Sequence, residues 1–306
     1  MIKKITAVIL AAAVLFACFG SYAYANGIQT PYEDSEFFTT GDYTLHYRVV
    51  EHSGEYKGRI LMLHGFLCST FAWRNLSAEM AAKGYDCVLV DLPNFGYSTR
   101  ETEDIAPVDR EELVTALMKT LAPMDEWIIA GHSMGGGVAI NIAQENDIRA
   151  LLLYCPAPQS EFNSNMQGFM TSKPMCSLMD AFFKYGTAVT PLVRLVIYAA
   201  TLDIPFSLSY DVSGVTAPMQ LDNTGTGMCN MMFRVRATDL ENTEKITCPV
   251  LICQAEKDLI LVGDMKEQIA RAFPDAQYYE VAGGGHQCIE NRAAELAGVT
   301  LDFLAA

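Results

Sequence analysis

The chain has 306 residues, 51% of them hydrophobic, and carries a formal charge of −15. That length holds one large domain or two small ones, with enough apolar residues for a substantial core. So acidic a surface repels the phosphates of nucleic acid and of anionic membranes, so neither is expected as a partner.

In chain order, Met1-Ile2-Lys3-Lys4 is a short basic start, and Ile5 to Gly20 is almost wholly apolar. Ala23-Tyr24-Ala25 then places small residues where a signal peptidase reads. This pattern predicts a secretory signal over residues 1–25 and an extracytoplasmic mature protein. Leu15-Phe16-Ala17-Cys18 offers the alternative of a lipid anchor at Cys18, although Phe16 fits a lipobox poorly. The apolar run is short for a stable membrane span.

From about residue 42, short β-branched runs alternate with longer amphipathic ones. Strands are predicted at Tyr43–Val50, Arg59–Leu63, Cys87–Val90, Glu126–Ala130 and Ala150–Tyr154. Helices are predicted at Trp73–Lys83, Arg110–Leu121 and Gly135–Asn146. The alternation stops at residue 159 and resumes near 247, with strands Val250–Gln254 and Gln277–Val281 and helices Val262–Phe273 and Glu290–Leu304. Strands and helices in turn argue for an α/β fold, a mostly parallel central sheet with helices on both faces. The core then comprises residues 26–158 and 247–306. Residues 159–246 are rich in Met and Phe, and are expected to be a helical insertion, since a structureless loop of that length is implausible.

Eight cysteines follow residue 25. Cys87, Cys155 and Cys253 fall in or beside buried strands, where a thiol acts as a small hydrophobe. If a disulfide forms, Cys176–Cys229 is the expected pair, because both lie in the insertion. No Cys-x-x-Cys occurs, so no metal site is expected, and nothing calls for a cofactor.

Gly131-His132-Ser133-Met134-Gly135 follows a predicted strand and opens a predicted helix. In that setting Gly-x-Ser-x-Gly makes a sharp turn that lifts the serine hydroxyl above the sheet edge. The bland reading, a glycine-rich corner, loses force with that context and the added Gly136 and Gly137. A serine needs a base. Of the five histidines, His46 lies in a strand, His52 in a polar hairpin, and His132 points away from its neighbour's hydroxyl. His64 lies in a strand-ending turn. His286 remains, in a glycine-rich loop after the last predicted strand. Asp258 follows another strand and is favoured as its acidic partner, over Glu256 and Asp264. Oxyanion donors are expected at the N–H groups of Met134 and of Phe66, the latter after Leu63-His64-Gly65.

With these residues the chain resembles the α/β-hydrolase fold superfamily over residues 40–305. The matching stretches are Leu63-His64-Gly65-Phe66, Asp91-Leu92-Pro93-Asn94-Phe95-Gly96-Tyr97-Ser98, Gly131-His132-Ser133-Met134-Gly135-Gly136, Glu256-Lys257-Asp258 and Gly284-Gly285-His286. Asn94 departs from the glycine usual in that turn, but Asn tolerates left-handed backbone. The resemblance implies a Ser133–His286–Asp258 triad and makes the insertion a lid. A serine nucleophile argues against the dehalogenases and epoxide hydrolases of the fold, which use aspartate. The Met-rich lid suits an acyl chain or other apolar ester group, although its side chains serve equally as the lid's own core. The expectation is an exported carboxylic-ester hydrolase. A peptidase, carbon–carbon bond hydrolase or perhydrolase on the same triad is the alternative, and a non-catalytic binder the next.

Overall fold

The computed structural model describes residues 31–102, 104–105, 108–159, 168–232 and 236–306. The expected signal and the alternative anchor at Cys18 lie outside the described residues.

Eight strands form one sheet: β1 (Ser35–Thr40), β2 (Tyr43–Val50), β3 (Gly58–Leu63), β4 (Tyr85–Val90), β5 (Trp127–His132), β6 (Ala150–Tyr154), β7 (Val250–Ala255) and β8 (Gln277–Val281). Their order across the sheet is β1-β2-β4-β3-β5-β6-β7-β8. β1 and β2 run antiparallel, and the pairings from β4 to β8 are parallel. The strand order reverses between β3 and β5. At such a switch point of an open α/β sheet a crevice opens beyond the strands' carboxyl ends.

Side chains alternate across a strand, so each central strand feeds two cores. Leu61, Leu63, Ile129, Leu151, Leu153 and Ile252 pack on one face, against α2 (Arg110–Leu121) and α3 (Met134–Glu145). Ile60, Met62, Ile128, Leu152, Leu251 and Cys253 pack on the other, against α1 (Arg74–Ala81) and α11 (Ala293–Ala305). Asp109 starts α2 by accepting the N–H of Glu112 at 3.0 Å. Glu111 and Glu112 in its first turn and Lys119 in its last suit the helix dipole.

The stretch between β6 and β7 is a helical insertion: α4 (Lys173–Ala181), α5 (Thr190–Thr201), α6 (Ile204–Ser209), α7 (Ser213–Met219) and α8 (Thr224–Met232). Its ends meet where Gln159 and Thr238 exchange hydrogen bonds, both at 2.9 Å. Phe183, Met228 and Met231 are buried in the core of the first face, whereas Phe169 and Tyr185 stay exposed. Met166 and Phe233 lie outside the described residues. After the insertion come α9 (Met265–Ala272) and the short α10 (Cys288–Asn291). Among the described residues no helix is long and apolar enough to cross a membrane.

All eight cysteines after residue 25 are free thiols. Cys176 and Cys229 are neighbours joined by a hydrogen bond, and burial first, then Cys176, pushes the Cys229 thiol up to about 12.

Candidate active site

Parallel pairing brings the strand ends to one edge of the sheet. Gly131 of β5 pairs with Leu63, His132 with Tyr154, and Ala255 of β7 with Val281 of β8. Ser133, Asp258 and His286 each follow one of these ends.

Ser133 has φ 51° and ψ −119°, a strained conformation costing about 1–3 kcal/mol that persists only when its surroundings enforce it. Its N–H donates to the carbonyl of Tyr154 at 3.1 Å, and its carbonyl accepts from Gly136 at 2.9 Å and Ala157 at 3.0 Å. The turn also requires close approach. A Cβ at Gly131 would lie 2.4 Å from the Gly135 carbonyl oxygen, and one at Gly135 would lie 2.2 Å from that of Leu63. A serine at a helix start ordinarily caps it with its own hydroxyl. Ser133 makes no such cap.

That hydroxyl instead reaches His286, with Oγ 2.8 Å from Nε2. The other ring nitrogen, Nδ1, lies 2.7 Å from Asp258 Oδ2. The second carboxylate oxygen accepts the N–H groups of Ile260 at 2.8 Å and Leu261 at 2.9 Å. Burial pushes the Asp258 carboxyl up. The His286 hydrogen bond and charge, with the two N–H groups, outweigh it and hold the pKa below its ordinary value. Glu256, a competing candidate, accepts the N–H of Gly283 at 2.6 Å, and Asp264 binds Gln268 and Arg271. Neither contacts His286.

Met134 is the first residue of α3, so its N–H has no partner within the helix. The N–H of Phe66 has no acceptor among the described residues. The preceding Gly65 abuts the serine, since a Cβ there would sit 3.0 Å from Ser133 Cβ. The Phe66 ring is 41% exposed and stands edge-on to Phe95. Ser133 and His286 are buried, 7% and 4% exposed. Leu67, Phe95, Val215, Pro218, Met219 and Met228 line an adjacent cleft between this loop and the insertion.

Three contacts tie the insertion to the site, none of them legible in the motifs. Arg100 donates to the carbonyls of Phe95, Ser98, Gly96 and Pro218 at 2.6–3.0 Å, and to Thr224 Oγ1 at 3.3 Å. Tyr210 donates to Glu290 at 2.8 Å, and Glu290 also pairs with Arg74. Burial raises the Glu290 pKa, and Arg74 and Tyr210 offset that only in part. Lastly, the N–H of Gln287 donates to Ala200 at 2.9 Å.

The remaining histidines are accounted for. His46 pairs with Asp91 at 2.6 Å, and Asp91 also accepts the N–H groups of Thr70 and Tyr97, which braces the turn holding Asn94. Asn94 has φ 73°, the left-handed conformation expected of it. His52 bonds Asp86 at 2.8 Å. His64 donates to the Gly65 carbonyl and accepts the N–H of Leu92. His132 is buried beside His286, with ring centroids 5.0 Å apart. Ligand atoms of Cys155, Asp258 and His286 lie within 4.8 Å of one another. A soft divalent ion would fit there only by replacing the proton between His286 and Asp258.

A model of the alpha/beta hydrolase family matches residues 60–299. The uncharacterized hydrolase YugF of Bacillus subtilis is 23% identical over 273 residues, covering 87% of this chain and 96% of its own. Human monoacylglycerol lipase ABHD6 is also 23% identical, over 291 residues, covering 91% of this chain and 83% of its own. Among solved structures, the enol-lactonase from Burkholderia xenovorans superimposes with a TM-score of 0.69 at 17% identity, covering 89% of this chain and 100% of its own. The sheet order, the serine turn on β5, the helical insertion after β6 and the family match over most of the chain agree: this protein belongs to the alpha/beta hydrolase family.

Proposed function

We propose that this chain is an exported serine hydrolase of carboxylic esters, acting on small molecules with an apolar acyl or alcohol group. The observation that carries the reading is the unbroken hydrogen-bond line from Ser133 through His286 to Asp258, at 2.8 and 2.7 Å. Ser133 Oγ attacks the ester carbonyl as its proton passes to His286 Nε2. Asp258 holds the Nδ1–H tautomer and stabilises the imidazolium. The N–H groups of Phe66 and Met134 receive the oxyanion, each worth about 3 kcal/mol to the transition state. His286 then protonates the departing alcohol, and water, activated by the same imidazole, releases the acid. Ester chemistry is supported by the named activities of two similar proteins, a monoacylglycerol lipase and a lactonase, a lactone being a cyclic ester. An apolar substrate is supported by the exposed Phe66 ring beside the serine turn and the Phe95 ring that it meets edge-on.

A fluorophosphonate probe is expected to label the protein, and Ser133→Ala to abolish labelling. Turnover of p-nitrophenyl esters over aminoacyl amides is expected; turnover of the amides alone would assign a peptidase. An intact protein that never labels would instead be a binding member of the family. Export is checked by sequencing the amino terminus of the protein recovered from its native host. A start at Asn26 is expected, and lipid attached to Cys18 would replace secretion with anchoring.

A further inference from the structure

His132 is 1% exposed and immediately precedes the serine. Its Nε2 lies 3.0 Å from the carbonyl oxygen of His286. A carbonyl only accepts, so Nε2 carries the proton. Nδ1 therefore holds a buried lone pair, and it has no hydrogen-bond partner among the described residues. An apolar side chain would avoid that unsatisfied atom. The histidine thus has one polar contact to justify it, the bond to residue 286.

The other polar atom of the same peptide is also held. The N–H of Gln287 donates to the Ala200 carbonyl at 2.9 Å, from the end of α5. The peptide that follows His286 is clamped on both sides, by β5 through His132 and by the insertion through Ala200. A fixed peptide plane fixes the direction of the adjoining Cα–Cβ bond, and so the aim of the His286 ring. Triad distances of 2.8 and 2.7 Å depend on that aim.

We infer that His132 is a positioning residue for catalysis: as a neutral Nε2–H donor to the His286 carbonyl, it holds the imidazole of His286 in line with Ser133. The inference rests on the serine-hydrolase reading above. Neutrality is part of the role, because an imidazolium here would face the His286 imidazolium formed in each turnover. The surroundings enforce it. Burial, then the charge of His286, bring the His132 pKa down to about 3, with Asp258 opposing and His64 adding to the effect. The Trp73 ring, met edge-on, and Gly65, packed against the Nδ1 side, are uncharged.

Three measurements test this. In His132→Leu, kcat on p-nitrophenyl butyrate is expected to fall about 10- to 100-fold with KM nearly unchanged. His132→Gln, whose amide N–H reaches the same carbonyl, is expected to recover most of that loss. Nitrogen-15 NMR of the wild-type protein is expected to show His132 protonated at Nε2 and not titrating between about pH 5 and about pH 9. A purely packing role would leave Gln no better than Leu. That result, a His132→Leu enzyme with wild-type kcat, or an Nδ1–H tautomer would each overturn the inference. If His132→Leu does not fold, the Gln variant and the NMR still decide. Wild-type protein that neither labels nor hydrolyses would refute the hydrolase reading instead, so the two failures are distinct.

Discussion

Gly135→Ala is the sharpest test of how the serine turn is built. The added Cβ would lie 2.2 Å from the Leu63 carbonyl oxygen, 2.6 Å from its carbon and 2.7 Å from the His64 oxygen, all backbone atoms. Ordinary contact begins near 3.4 Å, so β3 and α3 must part by about 1 Å. The overpacking costs about 1–3 kcal/mol. Alanine returns up to about 1 kcal/mol of helix propensity, so the net loss of stability is about 0–3 kcal/mol. Activity suffers more. A 1 Å shift of α3 carries Ser133 away from His286, and the 2.8 Å bond leaves hydrogen-bond range. A misplacement of that size costs about 100-fold in kcat. The assay is p-nitrophenyl butyrate hydrolysis with fluorophosphonate labelling rates, beside urea unfolding on the same samples. A folded Gly135→Ala protein with wild-type kcat would refute the close-approach argument.

Two further outcomes follow from buried ionisable groups. The folded His132 pKa, about 3, lies below its unfolded value of about 6.5, so its contribution to stability is present above about pH 6.5 and is lost as pH falls toward 3; from about pH 7 to about pH 4 that loss is about 3 kcal/mol. Urea titrations at several pH values should show a shallower acid loss in His132→Gln, and an unchanged slope would contradict the burial argument. Arg100→Met strips the hydrogen bonds from buried carbonyls on both sides of the cleft, costing about 3 kcal/mol; limited proteolysis should then cut between residues 210 and 224, where the wild-type protein resists.

The meeting of Ser133, His286 and Asp258 was legible because each follows a strand, and parallel strands present their carboxyl ends together. The positions of the central strands along the chain and the edge placement needed only hydrophobic periodicity and glycines, whereas their order across the sheet is set by tertiary pairing. β1 was not legible. Its sequence, Ser-Glu-Phe-Phe-Thr-Thr, shows no burial alternation, and it is held by backbone pairing at the sheet edge. The Met-rich insertion divides between the two readings open to it. Phe183 and Met231 joined the core, whereas Met228 both joined it and lines the cleft. For His132, sequence proximity bears only on its reach to Ser133. Its partner is a carbonyl 154 residues away, which no local pattern announces. Arg100 and Tyr210 escaped notice for the same reason.

The Arg100 cage also bears on how a substrate arrives. By binding Pro218 and Thr224 to the Phe95–Ser98 turn, it makes α7 and the start of α8 a fixed wall beside the candidate site. Ala200 and Tyr210 fasten the next stretch to the segment carrying His286. α4 is fastened in turn to the start of α8, where Asp180 accepts the N–H of Thr226 at 2.9 Å and its hydroxyl at 2.7 Å, so the insertion holds together as one cover.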